Sequence, residues 1–175
     1  MQAAAPGWLS LLASALHQQA LNNLEQAAHI RTQAFDAAEA CSFEINGQPA
    51  AWLADGDSRL GPVCELFMDR EYHWVPFSDI AVLETEAPED LRDLFWLPCR
   101  VQLLDGQSFS ALMPGRYPQD LAVDEDDILL CRKTQWRDAG QDTWLGMGQK
   151  LLMTDSGEFP VLSIRSIVNK NKPLD

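Results

Sequence analysis

The sequence predicts an α+β fold, with an N-terminal helical pair followed by a mainly antiparallel β-sheet or small barrel that includes one short helix. Three observations support this prediction. Apolar residues recur at helical spacing before residue 41, and they alternate with period two after it. The turn pairs Asn46-Gly47 and Asp105-Gly106 then separate short apolar runs. We place the boundaries at residues 1–40, 41–168 and 169–175, the last being a polar, disordered tail.

The helical pair is predicted from two amphipathic segments, residues 6–18 and 22–39. Their apolar faces consist of Trp8, Leu9, Leu12 and Leu16 in the first, and of Leu21, Leu24, Ala28, Phe35 and Ala38 in the second. In the second segment, Ala27 and Ala34 are spaced as in the second helix of tetratricopeptide-like pairs. We therefore interpret residues 1–40 as a remnant of such a helical region.

The β-rich part is predicted from short apolar runs that are separated by turn residues. The candidate strands are 42–45, 63–68, 71–75, 80–86, 100–104, 108–113, 129–132, 150–154 and 159–168. Residues 88–95 predict the short helix, because Pro88 suits a first turn. Residues 116–127 are polar and acidic and predict a long loop. Many short strands joined by tight turns are typical of an antiparallel sheet or a small barrel.

Composition excludes several classes of function. The net charge is −13, from 26 acidic and 13 basic residues, so the surface repels phosphates and nucleic acid is not an expected partner. No Lys or Arg precedes Arg31, which argues against a secretory signal. No uncharged apolar run approaches the ~20 residues that span a bilayer. Four separated cysteines without a CxxC pair favour buried thiols in a reducing compartment, so we predict a cytoplasmic protein without a membrane partner.

Asp55 and Asp57 are the strongest candidates for catalysis. Paired carboxylates after an apolar strand can hold Mg²⁺, and this arrangement is typical of one class of phosphohydrolase. Arg59 occupies a position where neither that phosphatase pattern nor an EF-hand loop accepts an arginine. We favour a turn in which Asp57 caps backbone amides and Arg59 pairs with a nearby carboxylate. A metal-dependent phosphohydrolase remains the alternative.

Two further motifs have structural explanations. Residues 146–150 form a GxGxK segment, but no helix follows it as a phosphate site requires. Close backbone approach to Trp136 or Trp144 explains its glycines. The acidic run 124–127 is typical of a solvated loop. The sequence thus predicts no catalytic residue, no cofactor and no metal site.

Several ordered segments carry a resemblance to a known family. They are WLADGDSRLGPV (52–63) with YHWVPF (72–77), PEDLRDLFW (88–96), PGRYP (114–118), TQWR (134–137) and GMGQK (146–150). Together they resemble the ImpE/TagJ family of type VI secretion system accessory proteins, also described as SciE-type virulence proteins. The family carries further helical sequence upstream, so this chain is expected to be a short or truncated member. The signature side chains are Asp57, Arg59, Trp74, Arg92, Trp96, Arg116 and Tyr117.

The resemblance implies a non-enzymatic protein that binds the small subunit of the contractile sheath through the N-terminal helix of that subunit. It also implies an effect on sheath assembly and on disassembly by the ClpV-type ATPase, which is a further candidate partner. The expected mode is a helix laid in an apolar groove. Trp8, Leu12 and Leu16 form a face that must be covered, so we predict that the sheath helix or a second copy of the chain binds there. A purely structural, homo-oligomerising module is the remaining alternative.

Overall fold

The computed structural model describes residues 6–118 and 125–171, and its strands form antiparallel sheets. The helices are α1 (Gly7–Ala20), α2 (Leu24–Ala37) and α3 (Asp126–Leu129). The strands are β1 (Phe43–Ile45), β2 (Gln48–Ala50), β3 (Leu53–Asp55), β4 (Val63–Met68), β5 (Glu71–Pro76), β6 (Ile80–Thr85), β7 (Trp96–Leu103), β8 (Ser108–Pro114), β9 (Thr134–Asp138), β10 (Trp144–Gly148), β11 (Leu151–Thr154), β12 (Gly157–Pro160) and β13 (Ser166–Asn169). Short 3₁₀ turns lie at Phe77–Asp79 and Val161–Ser163.

Eight strands form the main sheet, in the order β2-β1-β13-β6-β7-β8-β4-β5. All neighbouring strands in it are antiparallel. Strands β9 and β10 pair with each other, and β3, β11 and β12 form a three-stranded sheet. The first hairpin therefore lies beside the last strand, with Phe43 opposite Asn169.

Two apolar clusters hold these layers together. The larger joins the main sheet, including the fully buried Leu66 and Leu83, to Leu53 and Leu152 of the three-stranded sheet. The smaller contains Trp8 and Leu12 of α1, Ala34 of α2 and Val63 of β4, so it fixes the helices to the main sheet. Burying one large aliphatic side chain contributes roughly 1.5–3 kcal/mol, so both clusters matter for stability.

The predicted hairpin turns are confirmed. Asn46 and Gly47 join β1 to β2 with φ values of +50° and +81°, as a type I′ turn requires. Gly106, with a φ of +87°, lies between β7 and β8. Turn residues of this kind act locally, which is why the sequence alone locates them.

The predicted fold class is wrong. Strands account for 41% and helices for 24% of the described residues, and the dominant element is the eight-stranded sheet. The chain is therefore mostly β, instead of a helical pair set against a small sheet or barrel. The sequence pattern underestimates the sheet content because it does not predict β9 and β10 as strands, and because β7 begins at Trp96 and not near Arg100. Gly146 and Gly148 weaken the strand pattern of β10.

The short helix also lies elsewhere. Residues 91–95 form hydrogen-bonded turns. There the Asp90 carboxylate accepts the N–H groups of Arg92 and Asp93 as a helix N-cap does, but β7 begins at Trp96 and leaves room for little more than one turn. The observed third helix, α3, lies where the sequence predicted the end of a loop and the start of a strand.

Parts of two predicted segments fall outside the described residues. Residues 119–124 of the predicted loop and residues 172–175 of the predicted tail are not covered. Asn169 is buried at the end of β13, and its side-chain oxygen accepts the N–H of Asn171 at 3.0 Å.

Candidate functional site

Asp55 ends β3 and Asp57 lies in the turn that follows, but their carboxylates have different partners. Asp55 Oδ2 lies 2.6 Å from Lys150 Nζ. Asp57 accepts hydrogen bonds from Arg59 Nε at 2.8 Å and from Arg59 Nη2 at 2.5 Å. Asp55 is only 6% exposed and Asp57 is fully buried. The two carboxylates therefore belong to two different ion pairs.

Asp57 also shapes its own turn. Its Oδ1 accepts the backbone N–H of Arg59 at 2.8 Å, and its carbonyl accepts those of Leu60 and Gly61. Its Oδ2 accepts the N–H of Gly146 from β10 at 2.7 Å. One carboxylate thus fixes the turn and attaches it to a distant strand, using charge-assisted bonds.

Lys150 is buried between two acids. Its ammonium donates to Asp55 and to Glu65 of β4. Burial disfavours the charged amine, but the two carboxylates outweigh burial and raise the pKa of Lys150. Lys150 therefore remains an ammonium in the folded chain.

Tyr117 covers the Asp55 side of this group and is fully buried. Its Oη lies 2.9 Å from Asp55 Oδ1 and accepts the N–H of Leu151 at 3.1 Å. Burial, together with the charge of Asp55, raises the pKa of Tyr117, so the phenol remains protonated. Its ring lies 5.7 Å from that of Trp136.

Gly146 and Gly56 allow these aromatic rings to pack closely. A Cβ at Gly146 would lie 2.3 Å from the Tyr117 ring, and one at Gly56 would lie 2.6 Å from Trp136. The glycine at 146 therefore serves close packing. The Tyr117 ring fills the space beside Gly146, and Trp136, one of the two tryptophans that the sequence suggested, is paired with Gly146 across β9 and β10.

Arg31 brings α2 into the same region. It is 5% exposed, with Nη1 donating to Thr143 Oγ1 at 2.7 Å and Nη2 donating to Gln19 Oε1 at 2.5 Å. Burial lowers the pKa of Arg31, and the charge of Asp57 opposes that shift. Its Nε has no hydrogen-bond partner among the described residues.

Six charged side chains thus form one largely buried group, which we call the charge network. Its members are Arg31, Asp55, Asp57, Arg59, Glu65 and Lys150. Three cations face three carboxylates, so the group is formally neutral. Pairing of this kind offsets the cost of removing charges from water, and loss of a single member leaves an uncompensated buried charge.

The predicted signature residues do not all meet at the charge network. Asp57 and Arg59 belong to it, and Tyr117 contacts it. Trp74 instead packs against the Trp8 cluster and donates from Nε1 to Tyr72 Oη at 2.6 Å.

The other three signature residues lie outside the network. The side chain of Arg92 is 70% exposed and pairs with Asp93 at 3.4 Å and with Asp90 at 3.6 Å. Trp96 is 41% exposed. The guanidinium of Arg116 lies 4.7 Å from the centre of the Phe95 ring, and its Nη1 donates to the Leu129 carbonyl at 3.1 Å.

The predicted partner face of Trp8, Leu12 and Leu16 packs mainly against other parts of the same chain. Trp8 is 7% exposed, Leu12 is fully buried and Leu16 is half-buried. Trp8 and Leu12 pack against Ala34 and Val63. We expect Trp8→Ser with Leu12→Ser to unfold the chain.

The sequence analysis missed Arg31, Glu65 and Lys150 as members of a common site. For Arg31 a signal was present, because Ala27 and Ala34 lie one turn before and one turn after it and all three are buried. The predicted apolar face of α2 instead began at Leu21, which is 57% exposed.

Metal-ligand geometry is not found in the part of the chain that the structure describes: no three His, Cys, Asp or Glu side chains there converge as a metal site needs. In the acidic run, Glu125 pairs with Lys133, and Asp127 pairs with Arg132 at 3.5 Å. Asp124 lies outside the described residues. Among the described helices, none is long and apolar enough to cross a membrane.

Comparison with known proteins places this arrangement in a family. The family model described as ImpE protein matches residues 47–168, which is more than half of the chain. The chain belongs to the ImpE family. The resemblance noted in the sequence is confirmed. In this ImpE chain, segments 52–63, 114–118, 134–137 and 146–150 all supply residues to the charge network or to the aromatic packing around Tyr117.

Two individual proteins are similar to this chain. The type VI secretion system accessory component TagJ of Pseudomonas aeruginosa is 43% identical over 160 residues, which cover 91% of this chain and 56% of TagJ. The chain thus spans little more than half the length of that relative. The crystal structure of protein VPA1032 from Vibrio parahaemolyticus matches with a TM-score of 0.85 at 23% identity, over 94% of this chain and 62% of that one. That match shows a shared fold.

Proposed function

We propose that this ImpE chain is an accessory component of a type VI secretion system and acts by binding another protein. The proposed partner is the small subunit of the contractile sheath, bound through the N-terminal helix of that subunit. The proposed effect is on sheath assembly and on disassembly by the ClpV-type ATPase, in the cytoplasm. The name of the TagJ relative supports the accessory role.

A groove beside the helices carries this proposal. It has a volume of about 480 Å³, and we call it the Trp52 groove. Its large apolar lining residues are Trp8, Phe35, Phe43, Trp52, Leu53, Phe77 and Met153. Trp52 is 42% exposed, whereas Trp8, from the predicted partner face, forms part of the wall. An apolar groove with a few large side chains suits an amphipathic helix, in which a few anchor residues provide most of the binding free energy.

Charge favours one kind of helix. Among the described residues that line the groove, those with charged side chains are Glu39, Asp55 and Asp57, all acidic. Asp55 and Asp57 are already paired within the charge network, but Glu39 is exposed. The groove therefore favours a helix with apolar anchors and a basic residue near its border.

Two exposed tryptophans provide a matched test. A labelled peptide of the sheath-subunit helix is titrated with the parent chain, with Trp52→Ser and with Trp144→Ser, whose tryptophan is 48% exposed but lies outside the groove. We expect Trp52→Ser to weaken binding roughly tenfold or more, and Trp144→Ser to leave it unchanged. Equal affinity in all three proteins would place the helix elsewhere.

A pull-down from lysate that contains sheath subunits and the ATPase tests which of these proteins the chain binds directly. We expect the sheath subunit to be captured directly and the ATPase only when the sheath subunit is present. Light scattering on the purified chain tests the homo-oligomer alternative. A stable oligomer that captures neither protein would contradict the proposal and favour a purely structural module.

The proposed role is non-enzymatic. A phosphohydrolase that used Asp55 and Asp57 would need both carboxylates free to act, yet Asp55 is paired with Lys150 and Asp57 with Arg59. We expect no turnover of a generic phosphate ester with Mg²⁺. Metal-dependent turnover that Asp57→Asn abolishes would restore the enzymatic alternative.

A further inference from the structure

A second surface lies on the exposed face of the main sheet, apart from the Trp52 groove. Phe67 of β4 is 37% exposed, Tyr72 of β5 is 51% exposed and Trp96 of β7 is 41% exposed. The strand register places Phe67 opposite both Tyr72 and Leu112, and Leu112 opposite Pro98. These five residues form a line of apolar side chains across four strands, which we call the aromatic row.

A cleft of about 490 Å³ adjoins the aromatic row. Tyr72, Phe95, Trp96 and the Glu65 side chain line it. Tyr72 donates from its hydroxyl to Glu65 and accepts from Trp74, so its ring is held in position. Arg116 also lines the cleft, although its guanidinium is occupied by the Phe95 ring and the Leu129 carbonyl.

Strand β5 ends the main sheet next to this row. Asp69 and Arg70 have φ values of +52° and +67°, so they form a tight two-residue turn between β4 and β5. Such a turn makes Met68 and Glu71 a hydrogen-bonded pair, and the antiparallel pattern then alternates along β5. The N–H and C=O groups of Tyr72 and Trp74 therefore point away from β4, towards the free edge of the sheet.

We propose that an extended segment of a partner polypeptide binds this edge as a ninth strand and lays alternate apolar side chains on the aromatic row. Main-chain bonds to Tyr72 and Trp74 supply affinity, and the row supplies specificity. The site is separate from the Trp52 groove, so this inference does not depend on the proposed function.

The charge of this chain indicates which kind of polypeptide segment would bind the edge. The net charge of −13 disfavours a second copy of this chain and favours a positively charged segment. The aromatic walls of the cleft suit a lysine or arginine side chain, whereas its carboxylate, Glu65, is already paired with Lys150. The expected ligand is therefore an extended peptide in which basic residues adjoin alternating apolar ones.

Selection from a displayed library of random short peptides tests this proposal. The parent chain is the target, and Phe67→Ser with Trp96→Ser is the counter-target. We expect enriched peptides to alternate apolar residues and to contain Lys or Arg. A synthetic copy of an enriched peptide should bind the double variant roughly tenfold or more weakly than the parent, and bind Trp144→Ser as it binds the parent.

Hydrogen exchange measured by NMR identifies the binding mode. The amides of Tyr72 and Trp74 should exchange quickly in the free chain and slow at least roughly tenfold when the peptide is bound. Three results would overturn the proposal. They are no enrichment over the counter-target, binding that leaves these two amides unprotected, and protection without peptide that accompanies a doubled mass in light scattering. The last result would assign the edge to a second copy of the chain.

Discussion

Two arginine–aspartate pairs in segments that carry the ImpE resemblance have the same chemistry and opposite surroundings. In the pair of Arg59 and Asp57, the side chains are 25% and 0% exposed. In the pair of Arg92 and Asp90, they are 70% and 57% exposed. The first pair has lost most of its hydration, whereas the second keeps it. Burial, and not residue type, therefore decides how much each pair contributes to stability.

The largest effect is expected at the centre of the charge network. Lys150→Met leaves Asp55 and Glu65 close together without the cation between them. We expect a loss of about 5 kcal/mol in the free energy of unfolding, at the upper end of the range for a broken buried pair. Urea denaturation measures it. Adding Glu65→Gln should recover part of the loss, and no recovery would mean that packing of the lysine stem dominates.

Arg59→Ala tests the buried arginine pair directly. Asp57 would keep its amide donors but lose its cation, so we expect a loss of about 3–5 kcal/mol. In a domain of this size that lowers the melting temperature by roughly 6–20 °C. If Arg59→Ala melts like the parent but fails to bind the sheath peptide, Arg59 is a contact residue and the contrast between the two pairs is lost.

Tyr117→Phe removes one hydroxyl and leaves the ring in place. Asp55 Oδ1 keeps the N–H of Asp57 at 2.9 Å, so we expect a smaller loss of about 1–3 kcal/mol. Urea denaturation at neutral pH gives the value. A loss as large as that of Lys150→Met would show that Tyr117, and not the lysine, holds the network together.

The dependence of the melting temperature on alkaline pH also tests the contribution of Tyr117. The pKa values of Tyr117 and Lys150 are raised from 10.0 and 10.5, so their contribution is fully present below those values. It is lost as the pH rises through the folded-state pKa values. The melting temperature should therefore fall above about pH 10, and fall less steeply in Tyr117→Phe. Identical slopes would exclude Tyr117 as a contributor.

The smallest effect is expected at the exposed pair. Arg92→Ala should change the free energy of unfolding by less than about 1 kcal/mol, because the guanidinium is 70% exposed and its nearer partner, Asp93, keeps the N–H of Glu89. It serves as the matched control for Arg59→Ala in the same denaturation experiment. A loss close to that of Arg59→Ala would contradict the role assigned to burial.

Local signals in the sequence predicted local structure well. The turn at Asn46 and Gly47 was predicted because two residues and their φ preferences determine it. The charge network was not predicted, because Arg31, Glu65 and Lys150 come from distant parts of the chain and nothing in their spacing shows that they meet. The sheet was underestimated for a related reason: Gly146 is a weak strand residue, and only the Tyr117 ring packed against it explains its place in β10.

The position of β13 has a consequence for how the chain is made. β1 pairs with β13, and Phe43 lies opposite Asn169. This pairing cannot form until Asn169 has been synthesised. Until then β1 and β6 both have an unpaired edge on the growing chain, and such edges invite aggregation. Pairings between residues so far apart also slow folding. We expect completion of the sheet to wait until β13 has left the ribosome, and the nascent protein to need a chaperone most before that step.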